Sequence, residues 1–265
     1  MRIFDSTLFT MELKRGFRGV LIWTFALSAS MVLVIALYPM VIDMYAAIPP
    51  EFADLMEAFG GIPDSIVEYY ATEGAMMLQL FGSIFAALQG FGAINRDERE
   101  KTAESLYVLP IARRTFFATK LLRASLEVLI LSAVAAASSY VAFLAVGEPI
   151  DMAPFLRFTA LNALVFLVFV WLAFAMAALL KPNQKPFVAI AVPFVLYVLY
   201  TVSLMADDAV LEFLRNLTPF TFADPLEILK ADFEVAWIPM TVFLGLSAAG
   251  LLAGWRAFRV REIIV

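Results

Sequence analysis

Six apolar runs, each long enough to cross a bilayer, constrain this chain more than any other feature. A spanning helix needs roughly 20 apolar residues to cross about 30 Å of hydrocarbon. The runs cover Val20–Ile42, Gly74–Asn95, Ala124–Gly147, Phe158–Leu180, Pro186–Ala206 and Val235–Trp255. Five of them contain no Lys, Arg, Asp or Glu, and the third contains only Glu127, near its start. Runs of this length do not alternate as barrel strands would, so helices are the reading. Composition agrees: 63% of residues are hydrophobic and 16% charged, with a mean hydropathy of +0.87. That apolar excess needs lipid as solvent rather than a larger core. The expectation is one all-α transmembrane domain over residues 1–265, without room for a separate globular unit.

Basic residues orient the runs. Arg2, Lys14, Arg15 and Arg18 precede the first, and no Lys or Arg follows until Arg96. The connection after the second run holds Arg96, Arg99, Lys101, Arg113, Arg114, Lys120 and Arg123. Lys181 and Lys185 flank the fourth connection, and Arg256, Arg259 and Arg261 follow the sixth run. The alternate connections hold only Arg157, Arg215 and Lys230, and carry acids instead. Positive charge stays on the cytoplasmic side, so both ends of the chain are expected inside, in a cell membrane.

The N-terminal apolar run is too long for the roughly 7–15-residue core of a signal peptide. Phe4, Leu8 and Met11 share a helical face beside Lys14, Arg15 and Arg18, the pattern of a short interfacial helix before the first span. Two outer connections carry amphipathic patterns: Phe52, Leu55, Met56 and Phe59 in one, Val210, Phe213, Leu214 and Leu217 in the other. Pro193 and Pro39 lie inside the fifth and first runs, and Gly250 and Gly254 form a GxxxG pattern in the sixth. We read that pattern as close packing within the bundle rather than a dimer seam.

The chain has no cysteine and no histidine. Disulfides, Cys- or His-based metal sites and histidine bases are excluded. No Gly-x-x-x-x-Gly-Lys-Ser/Thr occurs, so no phosphate-cradling loop of that kind is present. Glu127 is the one carboxylate inside a run, a position that by default marks a functional site. It stands one turn beyond Arg123, and a pair with Arg123 or a headgroup at the inner interface explains it. Gln79, Gln89 and Asn162 are the other intramembrane polar candidates; each lines a path or makes one interhelical hydrogen bond.

The most informative stretch runs from Asn95 to Leu122. Interleaved charges from Arg96 to Glu104 are expected to form a helix that Pro110 ends, with Leu106 and Leu109 turned inward. A second basic turn then leads into the third run. These residues resemble the permease subunits of ABC transporters of the ABC-2 type. The resemblance is carried by Glu98, Glu100, Lys101, Thr102, Glu104, Leu106, Pro110, Ile111, Arg113, Lys120, Leu121 and Leu122. Ala112 stands where the family commonly has serine, and Asn216–Pro225 is similar to a Ser/Thr-Pro-Phe segment of such permeases.

That resemblance implies a coupling helix between spans two and three, formed by Glu98, Arg99, Glu100, Lys101, Thr102, Glu104, Pro110 and Arg113. It also implies a separate ATP-binding subunit that carries ATP and Mg, and a second permease copy or paralogue. This chain itself would hold no cofactor and bind no nucleic acid. The expected role is a permease, most naturally of an exporter. A non-transporting anchor or signalling subunit stays open. A secondary carrier is less suited, because it would want ionisable residues near the midplane or broken helices in matching halves.

Overall fold

A computed structural model describes residues 4–47, 63, 65–100, 102, 110–181, 184–205, 209–229 and 233–261. The elements are α1 (Ser6–Ala46), α2 (Ile66–Arg99, with a π-helical turn at Tyr70–Ala75), α3 (Arg113–Val146), α4 (Met152–Leu179), α5 (Phe187–Ser203), α6 (Ala209–Asn216), a 3₁₀ turn (Pro219–Ala223), α7 (Pro225–Ile228) and α8 (Trp237–Val260). Among the described residues there is no β-strand. Five of these helices (α1, α2, α3, α4 and α8) are long and apolar enough to cross a membrane, while α5 has 17 residues. Phe25, Phe187, Ile238 and Leu252 point outward at 63–77% exposure, which water would penalise and lipid does not. The chain is a multi-pass membrane protein.

The first expectation to be corrected is the separate interfacial helix at the N-terminus. Ser6–Ala46 is one continuous helix of 41 residues, about 60 Å long at ~1.5 Å per residue. Asp5 caps it by accepting from the Leu8 amide (2.9 Å), and its own amide donates to Thr119 Oγ1 (3.2 Å). The helix stays in register with the bundle because Glu12 and Arg15 pair with α3 and α2. Leu8 is therefore buried, while Phe4 and Met11 remain exposed. Gly16 does not break the helix. A Cβ there would lie 2.6 Å from Glu127 Oε1, so glycine is what lets α1 approach α3.

The charged connection is described only in part, and the coupling helix expected there lies largely outside the described residues. α2 ends at Arg99, and Glu100 leaves helical geometry at φ −86°, ψ 2°. The chain folds back so that the Thr102 amide bonds Asp97 O at 2.9 Å. No separate coupling helix lies among the described residues of this connection. Lys101, Glu104, Leu106 and Leu109 lie outside the described residues, as does the pattern Phe52–Phe59.

α4 forms the centre of the packing, between α2 and α8. Small residues Gly82, Ala86 and Gly90 recur every fourth position on α2 and face it. A Cβ at Gly90 would lie 2.2 Å from Val170 O, and one at Gly82 2.2 Å from the Phe166 ring. On α8, Gly254 would place a Cβ 3.2 Å from Ala175 Cα, and Gly250 3.4 Å from Ala175 Cβ. The GxxxG pattern is thus used inside the bundle. α3 ends in a left-handed Gly147 (φ 85°), with the Glu148 amide bonded to Phe143 O (3.2 Å). That is the glycine-capped helix end which turns the chain into α4. Pro39 and Pro193 sit within continuous helices.

Candidate functional site

The charged residues gather at one end of the bundle, where α1 begins, α2 ends, α3 begins and α8 ends. Asp97, fully buried, is at its centre. Its Oδ1 accepts from Arg15 Nη1 at 2.6 Å, and Lys120 Nζ lies 2.6 Å from its Oδ2 as an ion contact rather than an aligned hydrogen bond. Lys120 also donates to Glu12 Oε1 at 2.7 Å and sits 5.0 Å from the centre of the Phe116 ring. Arg15 reaches on to Glu100 and to Thr102 Oγ1 (3.3 Å). The result is an alternating chain, Glu12–Lys120–Asp97–Arg15–Glu100, drawn from three helices. Buried charges of this kind survive only when each is paired, and removing one partner costs about 3–5 kcal/mol.

Two further arginines tie the helix ends together. Arg113 Nη1 donates to the carbonyls of Phe258 (3.3 Å), Arg259 (2.8 Å) and Arg261 (2.9 Å). These include carbonyls of the last turn of α8, where a cation is favoured. Arg261 Nη1 does the same for α4, bonding Ala177 O and Ala178 O at 2.9 Å each. Its Nη2 donates to Glu98 Oε2 at 2.9 Å. One turn deeper on α3, Arg123 Nη1 donates to Glu127 Oε2 (2.7 Å) and makes a longer contact with Gln89 Oε1 (3.5 Å). The pair expected between Arg123 and Glu127 is present, but both side chains are buried in the bundle. On its other side Glu127 borders an apolar groove of about 800 Å³ between α1 and α3, together with Thr24 and Ser28.

Among the described residues, those implied for ATPase docking fall into two groups; Lys101 and Glu104 lie outside the described residues. Glu98, Thr102 and Arg113 are committed to bonds inside the bundle. Arg99, Glu100 and Pro110 are exposed, although Glu100 also holds Arg15. The four intramembrane candidates do not form one site. Gln89 and Glu127 meet through Arg123. Gln79 Nε2 donates to Ala223 O at 2.5 Å, in the segment before α8. Asn162 Oδ1 is buried and, among the described residues, has no hydrogen-bond partner.

Glu12, Asp97 and Arg261 enter the sequence reading only as part of the charge balance, and Lys120 only through that and the family resemblance. The available signal was weak: two acids, Glu12 and Asp97, each embedded in a basic stretch.

The opposite end of the bundle is closed differently. Pro219–Ala223 folds into the bundle as a 3₁₀ turn, and Asp224 caps α7 by accepting from the Leu226 amide (3.0 Å). Phe220 is fully buried against Phe169 (5.5 Å between centroids), Tyr197 (5.4 Å) and Tyr200 (5.8 Å). Arg215 pairs with Asp224. Backbone off a regular helix is tolerated at such depth only when protein covers it. The amphipathic pattern before this turn forms α6, with Val210 and Phe213 exposed.

Among the described residues no cluster of three or more acidic side chains could hold a metal ion. A family model described as ABC-2 family transporter protein matches residues 8–261. No curated protein matches the chain.

Proposed function

The chain belongs to the ABC-2 family of transporter membrane proteins, and from that premise we propose that it is the permease subunit of an ATP-driven exporter. A separate ATP-binding subunit would dock on the basic end, and a second permease, a copy or a paralogue, would complete the unit. The reading includes six crossings with both chain ends in the cytoplasm, in a single domain over residues 1–265. The bonds at the basic end support that even number. Asp5 is tied to Thr119, and Arg261 to both Glu98 and the end of α4. The first and last described helices therefore meet the connection between α2 and α3 at one end. The chain leaves α4 at this end and must start α8 at the other, so α5 is the segment available to cross between them. At ~1.5 Å per residue its 17 residues span about 25 Å, which is short but within the range of a spanning helix.

One observation carries the reading: residues at the two ends of the connection, Glu98, Glu100 and Arg113, are bonded to α1, α4 and α8, directly or through Arg261. Force received at Glu100 reaches α1 through Arg15. It reaches α4 and the end of α8 through Glu98–Arg261, and α8 again through Arg113. Such a unit moves as a block, and the aromatic end opposite would open or close in response. ATP and Mg belong to the partner in this scheme. Reconstitution of the chain with an ABC-type ATP-binding subunit tests the proposal. Glu100→Lys should lower ATP-driven flux while leaving membrane insertion intact. Full coupling in that variant would remove the docking role. ATP turnover without flux of any candidate would favour a non-transporting anchor.

A further inference from the structure

A small cavity at the basic end is chemically unlike the ion-pair chain beside it. It has a volume of about 240 Å³ and opens between α1, α2 and the start of α5, lined by Gly19, Trp23, Gln89, Asn95, Arg96 and Arg99 among others. The carboxylates that act on Arg96 are Glu100, Glu12 and Glu127, and each is already paired, with Arg15, Lys120 and Arg123. Arg123 and Arg15 add positive charge from the same side. Among the described residues, the guanidinium groups of Arg96 and Arg99 make no ion pair or hydrogen bond. A partly buried guanidinium without a counter-charge is unfavourable, and an anion held by its fork reverses that.

The shape of the cavity supports the same ligand. A Cβ on Gly19 would meet nothing within 4 Å, so this face of α1 is left open. A Cβ on Gly92 would lie 3.7 Å from Arg96 Nη2, so the guanidinium lies over bare backbone of the preceding turn. Trp23, one turn beyond Gly19, is the residue type favoured at the membrane–water boundary.

We propose that this cavity binds a phosphate anion carried by a lipid, held by Arg96 and Arg99 with Trp23 against the glycerol and upper acyl chain. The site rests on the orientation proposed above only for naming the leaflet, which is the cytoplasmic one. A basic pocket between helices on that side is a general way of retaining an anionic headgroup.

The test uses the chain co-expressed with its ATP-binding partner, in nanodiscs of phosphatidylcholine doped with phosphatidylglycerol. Native mass spectrometry after transfer to mild detergent then reads the retained lipid. Wild type should keep phosphatidylglycerol, and Arg96→Gln should lower its retention about tenfold, as expected for losing a charge-assisted hydrogen bond. Gly19→Phe fills the cavity without touching the ion-pair chain and should have the same effect, so it carries the test if Arg96→Gln fails to insert. Arg18→Gln removes an exposed cation from the same surface and should change nothing. Unaltered retention in Gly19→Phe, or equal loss in Arg18→Gln, would overturn the site. Displacement of the lipid by millimolar inorganic phosphate would keep the anion site but overturn its assignment to a lipid. Because the readout is lipid retention rather than transport, the site can fail while the exporter reading stands, and the reverse.

Discussion

The two ends of the bundle are sealed by opposite physics. At the basic end, alternating charges from α1, α2 and α3 close a chain in which Asp97 and Lys120 are each 1% exposed, and Arg113 and Arg261 tie the ends of α8 and α4 to it. At the other end, Phe220 sits among Phe169, Tyr197 and Tyr200, and the polar ties of the turn include Gln79 to Ala223 O, the Thr218 and Thr221 hydroxyls to Arg215 O, and the pair Arg215–Asp224, whose arginine is one-third exposed and whose carboxylate is buried. Charge pairs in a dry site resist separation and fix distances. Aromatic packing is strong but non-directional, and it can slide. The comparison makes the basic end a rigid lever and the aromatic end the part that yields.

The sharpest way to break this contrast is Asp97→Asn. It leaves Lys120 and Arg15 facing an uncharged amide and should destabilise the protein by about 3–5 kcal/mol, read as a loss of thermal stability in nanodiscs. A loss no larger than that of Arg215→Gln would end the idea of a wired lever. Phe220→Ala should cost about 3 kcal/mol through the cavity it leaves, and cysteine-accessibility labelling near Gln79 should rise. Unchanged accessibility would mean that the 3₁₀ turn does not seal that end. Gly90→Ala acts between the two ends, forcing α2 away from Val170, and should cost about 1–3 kcal/mol as overpacking. Arg215→Gln strands the buried Asp224 but removes a cation that is one-third exposed, and should cost about 1–2 kcal/mol, less than Asp97→Asn, and that cost should shrink as salt rises. Salt should leave the penalty of Asp97→Asn almost unchanged, which a melting series in increasing sodium chloride would check.

Much of the architecture was legible in the order of residues. Apolar runs fall on the helices because lipid has no other way to satisfy a backbone, and the family resemblance rested on residues from Glu98 to Leu122. Gly250 and Gly254 were legible as a packing stripe, and Glu127 as a partner of Arg123, because both are local patterns within one helix. Helix ends were less so. α2 extends back to Ile66 and α3 to Arg113, because polar helical turns beyond the hydrocarbon carry no hydropathy signal. The expected interfacial helix failed for a related reason: residues 4–18 are amphipathic in isolation, but Glu12 and Arg15 pair with α3 and α2 while Lys14 and Arg18 stay exposed.

By itself, then, the sequence determined that the chain lives in a membrane, that its basic residues collect on alternate connections, and that it belongs among ABC-2 membrane proteins. Only the tertiary structure decided which charges meet. Arg15 and Asp97 are 82 positions apart, and Glu12 and Lys120 are 108 apart, so no local periodicity could have matched them. Burial decided the rest. Glu98 and Arg113 read as a solvated docking surface in sequence, yet a charge that finds helix-end carbonyls or a buried partner is spent on the fold. Among the described residues of the connection, Arg99, Glu100 and Pro110 remain exposed.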